Sequence, residues 1–125
     1  MSETSETHSK RRIIVADDEE TIATTLALIL NQAGFDARAA FSGKQVIELL
    51  DSFQPEMLII DVVMPGMTGI EVAIVVRSRC RDCKILLFSG QAATTDLLEE
   101  AKTQGHDFEI VAKPIHPSDL LAKLA

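Results

Sequence analysis

Ile13-Ile14-Val15-Ala16 is the first apolar run of the chain, and it stops at Asp17-Asp18-Glu19-Glu20, as a buried parallel strand does at its carboxyl end. Ile22, Leu26, Ile29 and Leu30 then recur at helical spacing. Acids open that helix where the macrodipole favours them, and Gly34 closes it. The same unit returns in type without repeating in sequence. Phe35 to Ala40 can form a second strand, and Ser42 caps a helix whose Val46, Leu49, Leu50 and Phe53 make an apolar stripe before Pro55. Met57-Leu58-Ile59-Ile60 is a third strand ending at Asp61. Past the Pro65-Gly66 turn, Ile70 to Arg79 reads as a helix, although Val75-Val76 weakens its propensity. Lys84 to Phe88 is a fourth strand ending at Ser89-Gly90. Leu97, Leu98 and Ala101 mark a fourth helix that ends near Gly105, and Phe108 to Ala112 is a fifth strand ending at Lys113-Pro114. Pro117-Ser118-Asp119 opens a last helix that is short or continues past Ala125.

Five strands alternating with five helices, in continuous apolar runs, predict an α/β fold: a doubly wound, five-stranded parallel sheet covered on both faces. A chain of 125 residues fills one domain of ordinary size. Met1 to Lys10 is polar and patternless, with almost nothing to bury against the cost of ordering. Residues 1–11 are therefore expected to be a flexible tail, and 12–125 the folded unit.

Composition narrows the partners. Twelve Lys+Arg against nineteen Asp+Glu give a net charge of −7, which disfavours direct nucleic-acid binding and an anionic membrane face. No apolar run approaches a membrane span, and the first residues carry no secretory pattern. A cytoplasmic location is expected. Cys80 and Cys83, the two cysteines, are too few for a disulfide framework.

In open α/β sheets the ligand site lies beyond the carboxyl ends of the strands. Here those positions hold Asp17 and Asp18, Asp61, Ser89 and Lys113. If the strand order is 2-1-3-4-5, the first and third strands are neighbours at about 4.8 Å, and Asp18 and Asp61 can share a cation. A lysine side chain can cross from the fifth strand, two places away from the third. Packed carboxylates repel by up to about 4 kcal/mol per close pair at an effective dielectric near 20, so a cation must compensate. Oxygen donors without His or Cys select a hard ion, Mg2+. Lys113 adds positive charge and Ser89 a hydroxyl donor for a phosphoryl group in transfer. With no good base to activate a hydroxyl, the nucleophile is a carboxylate, and Asp61, placed centrally, would form an acyl phosphate.

At these residues the sequence resembles the receiver domain of bacterial two-component response regulators. The resemblance covers Arg12 to Ala125 and rests on four motifs in order: Asp17-Asp18-Glu19, Asp61-Val62-Val63-Met64-Pro65-Gly66, Ser89-Gly90 and Lys113-Pro114. It implies the flavodoxin-like order 2-1-3-4-5. It also implies that Asp61 accepts a phosphoryl group from a phosphohistidine on a sensor histidine kinase or a histidine phosphotransfer protein. Asp18, Asp61 and the backbone carbonyl of Val63 would bind Mg2+, with Asp17 acting through water. Lys113 would pair with the phosphoryl oxygens, and the Lys113-Pro114 bond is expected to be cis. Ser89 stands at the hydroxyl switch position, Gly90 leaves the site accessible, and Val63 and Gln91 occupy positions that tune dephosphorylation. Ile110 departs from the pattern, because the family usually has Tyr or Phe there; Phe108 is the candidate substitute. Output would use the fourth helix, fifth strand and fifth helix to engage a downstream protein.

Taken singly, these residues have plainer readings. Asp17 and Asp18 alone would be a helix cap with dipole-favoured acids, Lys113 a surface lysine and Ser89 the start of a turn. Asp61, an acid interrupting Met57 to Met64, is what resists explanation as solvation. Cys80-Arg81-Asp82-Cys83 has the spacing of half a zinc site or a redox pair, but with no second pair and with His8, His106 and His116 scattered it reads as ordinary thiols. The leading reading is a signalling module and not an enzyme. Its rivals are a flavin-binding protein, a Mg2+-dependent aspartyl phosphatase, and a receiver-like interaction module regulated without phosphorylation. A flavin protein would want a hydroxyl-rich phosphate loop after the first strand. A phosphatase would want an acid at the position of Val63. No output domain is visible, so the chain is expected to be either a stand-alone receiver or a piece of a larger regulator.

Overall fold

A computed structural model describes residues 10–89, 99, 102–103, 105, 108–113 and 116–124. Its five strands are β1 (Arg12–Ala16), β2 (Asp36–Ala40), β3 (Met57–Asp61), β4 (Lys84–Ser89) and β5 (Glu109–Ala112). They form one parallel sheet in the order β2-β1-β3-β4-β5. The expected order is found. Among the described residues there are four helices, not five: α1 (Glu20–Gln32), α2 (Gly43–Leu49), α3 (Gly69–Arg79) and α4 (Pro117–Leu124). The fourth helix expected from Leu97, Leu98 and Ala101 lies outside the described residues. Of that stretch Glu99, Lys102 and Thr103 are described, and all three are helical. The expectations for His8, Gly90, Gln91, His106 and the Lys113-Pro114 bond also fall on residues outside the description.

Alternation along each strand divides the core in two. Ile14, Leu58, Ile60, Ile85 and Leu87 pack with Val46 of α2 and Val72 and Val76 of α3. Ile13, Val15, Ile59, Leu86 and Phe88 pack on the other face with Leu26 and Leu30 of α1 and Leu120 and Leu124 of α4. Because both faces of β1, β3 and β4 are covered, those three strands read as continuous apolar runs and not as alternating ones.

Local chemistry sets the element ends. Gly34 closes α1 at φ +103°, a left-handed conformation that glycine adopts without steric cost. Ser42 caps α2 by accepting from the Gln45 N–H at 3.2 Å. Thr68 and Glu71 form a reciprocal capping box at α3. Arg11, at the end of the stretch expected to be tail, donates to the Leu124 carbonyl at 3.0 Å. No described helix is long and apolar enough to cross a membrane.

Candidate functional site

Register brings the strand ends to one edge. Ala16 pairs with both Ala40 and Ile60, Asp61 with Phe88, and Ser89 with Ala112. Asp17 extends the β1–β2 ladder, its N–H donating to the Ala40 carbonyl at 3.1 Å, and it is only 1% exposed. The charge at Asp17 is held from two sides. Oδ1 accepts from the Glu19 N–H at 3.0 Å, and Oδ2 from Lys113 Nζ at 3.0 Å. The helix-cap reading of Asp17 therefore does not describe it: Glu19 occupies the cap position of α1 with no side-chain cap bond.

Asp61 is the last residue of β3 and 9% exposed. Its Oδ2 accepts from Lys113 Nζ at 3.0 Å, and its Oδ1 from the Val63 N–H at 3.3 Å. Lys113 thus reaches from beyond β5 across β4 to Asp61 at the end of β3 and to Asp17 just past β1. Its own N–H donates to the Ser89 carbonyl at 3.0 Å, which fixes the lysine backbone to the end of β4. Burial alone would push the Lys113 ammonium down. The hydrogen bonds that it donates to Asp17 and Asp61, and then their charges, outweigh that and hold its pKa above the ordinary 10.5.

Asp18 is exposed, yet it offers an oxygen to the same cluster. Ligand atoms of Asp17, Asp18 and Asp61 all lie within 4.8 Å of one another. Three carboxylates against one ammonium leave a surplus of negative charge, and the donor set is oxygen only. That arrangement fits a hard divalent cation. Ser89 ends β4, half-buried, at the same edge. Val63 is 44% exposed beside Asp61.

Sequence reasoning missed Gly69. A β-carbon there would overlap the Asp61 carbonyl oxygen and stand 2.9 Å from Val62 Cα. The Gly69 N–H donates to the Val62 carbonyl at 2.8 Å, so the start of α3 lies directly against the loop that carries the acid. The available signal was a glycine at a helix start, which reads locally as turn chemistry and does not report close approach. Ile110 is 45% exposed, whereas Phe108 is buried in the core on the α2–α3 side with the Arg77 guanidinium 4.6 Å above its ring.

Comparison with known proteins agrees with this geometry. A family model described as response regulator receiver domain matches residues 13–125. The DNA-binding response regulator MtrA of Mycolicibacterium smegmatis is 29% identical over 115 residues, covering 92% of this chain and 49% of MtrA. The chain spans about half the length of the curated relatives it matches. Among solved structures, the chemotaxis protein CheY4 of Vibrio cholerae is similar with a TM-score of 0.81 and 25% identity, covering 93% of this chain and 97% of that one. TrrA of Thermotoga maritima, solved in complex with Mg2+ and a beryllium fluoride, is similar with a TM-score of 0.76 and 29% identity, covering 91% and 96%.

Proposed function

Because the chain belongs to the response regulator receiver domain family, we propose that its acidic edge is a phosphoacceptor site and that Asp61 is the acceptor. The observation that carries this reading is Lys113 Nζ at 3.0 Å from both Asp17 and Asp61, with a third carboxylate in the same cluster. A carboxylate oxygen of Asp61 attacks the phosphorus of a phosphohistidine. The P–O bond forms as the P–N bond breaks, and the imidazole leaves with a proton from solvent. Lys113, already aimed at Asp61, pairs with the phosphoryl oxygens. Asp17 is a positioning residue that holds the lysine.

Asp18, Asp61 and the Val63 carbonyl would hold Mg2+, with Asp17 acting through water. When bound, the ion neutralises charge on the phosphoryl oxygens. Ser89, at the same edge, supplies a hydroxyl whose movement toward the phosphoryl group alters the surface a partner reads. The donor is a sensor histidine kinase or a histidine phosphotransfer protein, residues 12–125 act as one receiver unit in the cytoplasm, and this unit does not itself bind nucleic acid. Any DNA binding of the kind named for MtrA would reside in a segment other than this one.

Incubation with acetyl phosphate and Mg2+, followed by intact mass, tests the reading. One phosphoryl mass is expected on the wild type and none on Asp61→Asn or in the presence of a chelator. An Asp61→Asn protein that gains the same mass overturns the assignment, as does a wild type that gains none.

A further inference from the structure

Cys80 and Cys83 lie at the opposite edge of the sheet from Asp61. Cys80 closes α3, its N–H donating to the Val76 carbonyl at 2.7 Å, and Cys83 immediately precedes β4. Between them runs a tight turn, with the Cys83 N–H donating to the Cys80 carbonyl at 3.1 Å. Such a turn holds its end Cα atoms within about 7 Å, close to the range that a disulfide spans. Both thiols are free, Cys80 half-buried and Cys83 buried, and both line one cavity of about 460 Å³.

The charge of that cavity runs against the charge of the molecule. Arg11, Arg12, Arg81 and Lys84 line it, opposed by Glu56 and Asp82, in a chain whose net charge is −7. Arg11, Arg12 and Lys84 bond the backbone carbonyls of Leu124, Gln54 and Lys123. Those contacts orient the cations without neutralising them. The excess of cations favours a small anionic molecule here.

We propose that Cys80 and Cys83 form a thiol–disulfide exchange site that reacts with small anionic disulfides and closes into an intramolecular disulfide. The Cys80 sulfur attacks one sulfur of the small disulfide; that S–S bond breaks, and one thiol leaves carrying the Cys80 proton. The Cys83 sulfur then attacks Cys80, displacing the second thiol with the Cys83 proton. The protein pair loses two electrons and the small disulfide gains them. The order of attack follows from the environment of each thiol. Burial first, and then the neighbouring Cys80, push the Cys83 thiol up to about 12 against the opposing charge of Arg77, so Cys83 is a poor first nucleophile. Cys80 reaches solvent and attacks first, and closure is the slower step.

The test treats the full chain with oxidised glutathione, quenches with acid, alkylates under denaturing conditions and reads intact mass. A mixed disulfide on Cys80 is expected first. It is followed by a product lacking two hydrogens and any alkylatable thiol, which dithiothreitol reverses. Cys83→Ser should stop at the mixed disulfide. Relative to the denatured chain, the folded protein should react faster with oxidised glutathione than with cationic cystamine. Two alkylatable thiols remaining on the wild type, a mixed disulfide that never closes, a disulfide-linked dimer, or a preference for cystamine would overturn the proposal.

Discussion

Among the described residues Lys113 is the single cation between two carboxylates, and one of them, Asp17, is 1% exposed. Replacing the ammonium by an apolar stem strands a buried charge, which costs about 3–5 kcal/mol in buried pairs generally. Lys113→Met is therefore expected to lose about 3 kcal/mol in denaturant unfolding with a chelator present, with part of the loss recovered on adding Mg2+. Asp18→Asn should act with the opposite sign. Asp18 is exposed and adds a third negative charge to the cluster, so its removal should raise the metal-free Tm and diminish the stabilisation Mg2+ gives. Equal responses of the two variants to Mg2+ would contradict this division of roles. Val63 poses a kinetic question at the same site. Its side chain is 44% exposed beside Asp61, but it has no polar atom with which to orient an attacking water. Decay of the phosphorylated protein should be slow and should quicken in Val63→Asn; unchanged or slower decay in that variant counts against the argument.

Gly69 shows how an element can govern a site that it does not chemically join. Alanine is the better helix former by up to about 1 kcal/mol, so propensity alone predicts that Gly69→Ala stabilises α3. The added β-carbon, however, meets the Asp61 carbonyl and the Val62 backbone, and backbone cannot swing aside as a side-chain tip does. Overpacking of this kind costs about 1–3 kcal/mol, so sterics should win. Thermal unfolding should show a lower Tm for Gly69→Ala, together with slower labelling by acetyl phosphate. Gly66→Ala is the control. Its φ of +82° is strained for alanine, but nothing lies within 4 Å of the new carbon, so it should lose stability with labelling largely kept. The same contrast explains which elements were legible. The sequence marks β1, β3 and β4 by unbroken apolar runs because both faces of those strands are buried, and it marks α2 by Ser42 because caps are local. The position of Gly69 against β3 depends on how α3 returns across the sheet. No pattern confined to one segment encodes that contact. Likewise Asp17, Asp18, Asp61 and Lys113 were legible as strand-end residues, whereas the division of Asp17 between Lys113 and the Glu19 N–H emerges only with side chains in place.

At the scale of the molecule, the sheet separates two chemistries. Its carboxyl edge holds an acid-rich site neutralised in part by Lys113, and its amino edge holds a basic cavity with two thiols. Both edges make stability fall as the solution turns alkaline. Lys113 is held above its ordinary 10.5 in the folded state. Its stabilisation is whole below the unfolded value and is lost as pH climbs through the folded one. Cys83 is raised from 9.0 to about 12, chiefly by burial. Between those values the unfolded chain sheds the thiol proton while the folded chain keeps it, so stability falls with rising pH. Cys83→Ala isolates this contribution from every other alkaline effect. At pH 8 the variant should be the less stable protein, through lost packing. Between pH 9 and 11 its unfolding free energy should decline less steeply than that of the wild type, so that the gap narrows. Parallel slopes in denaturant unfolding across that range would show that the Cys83 thiol titrates alike in the folded and unfolded chains.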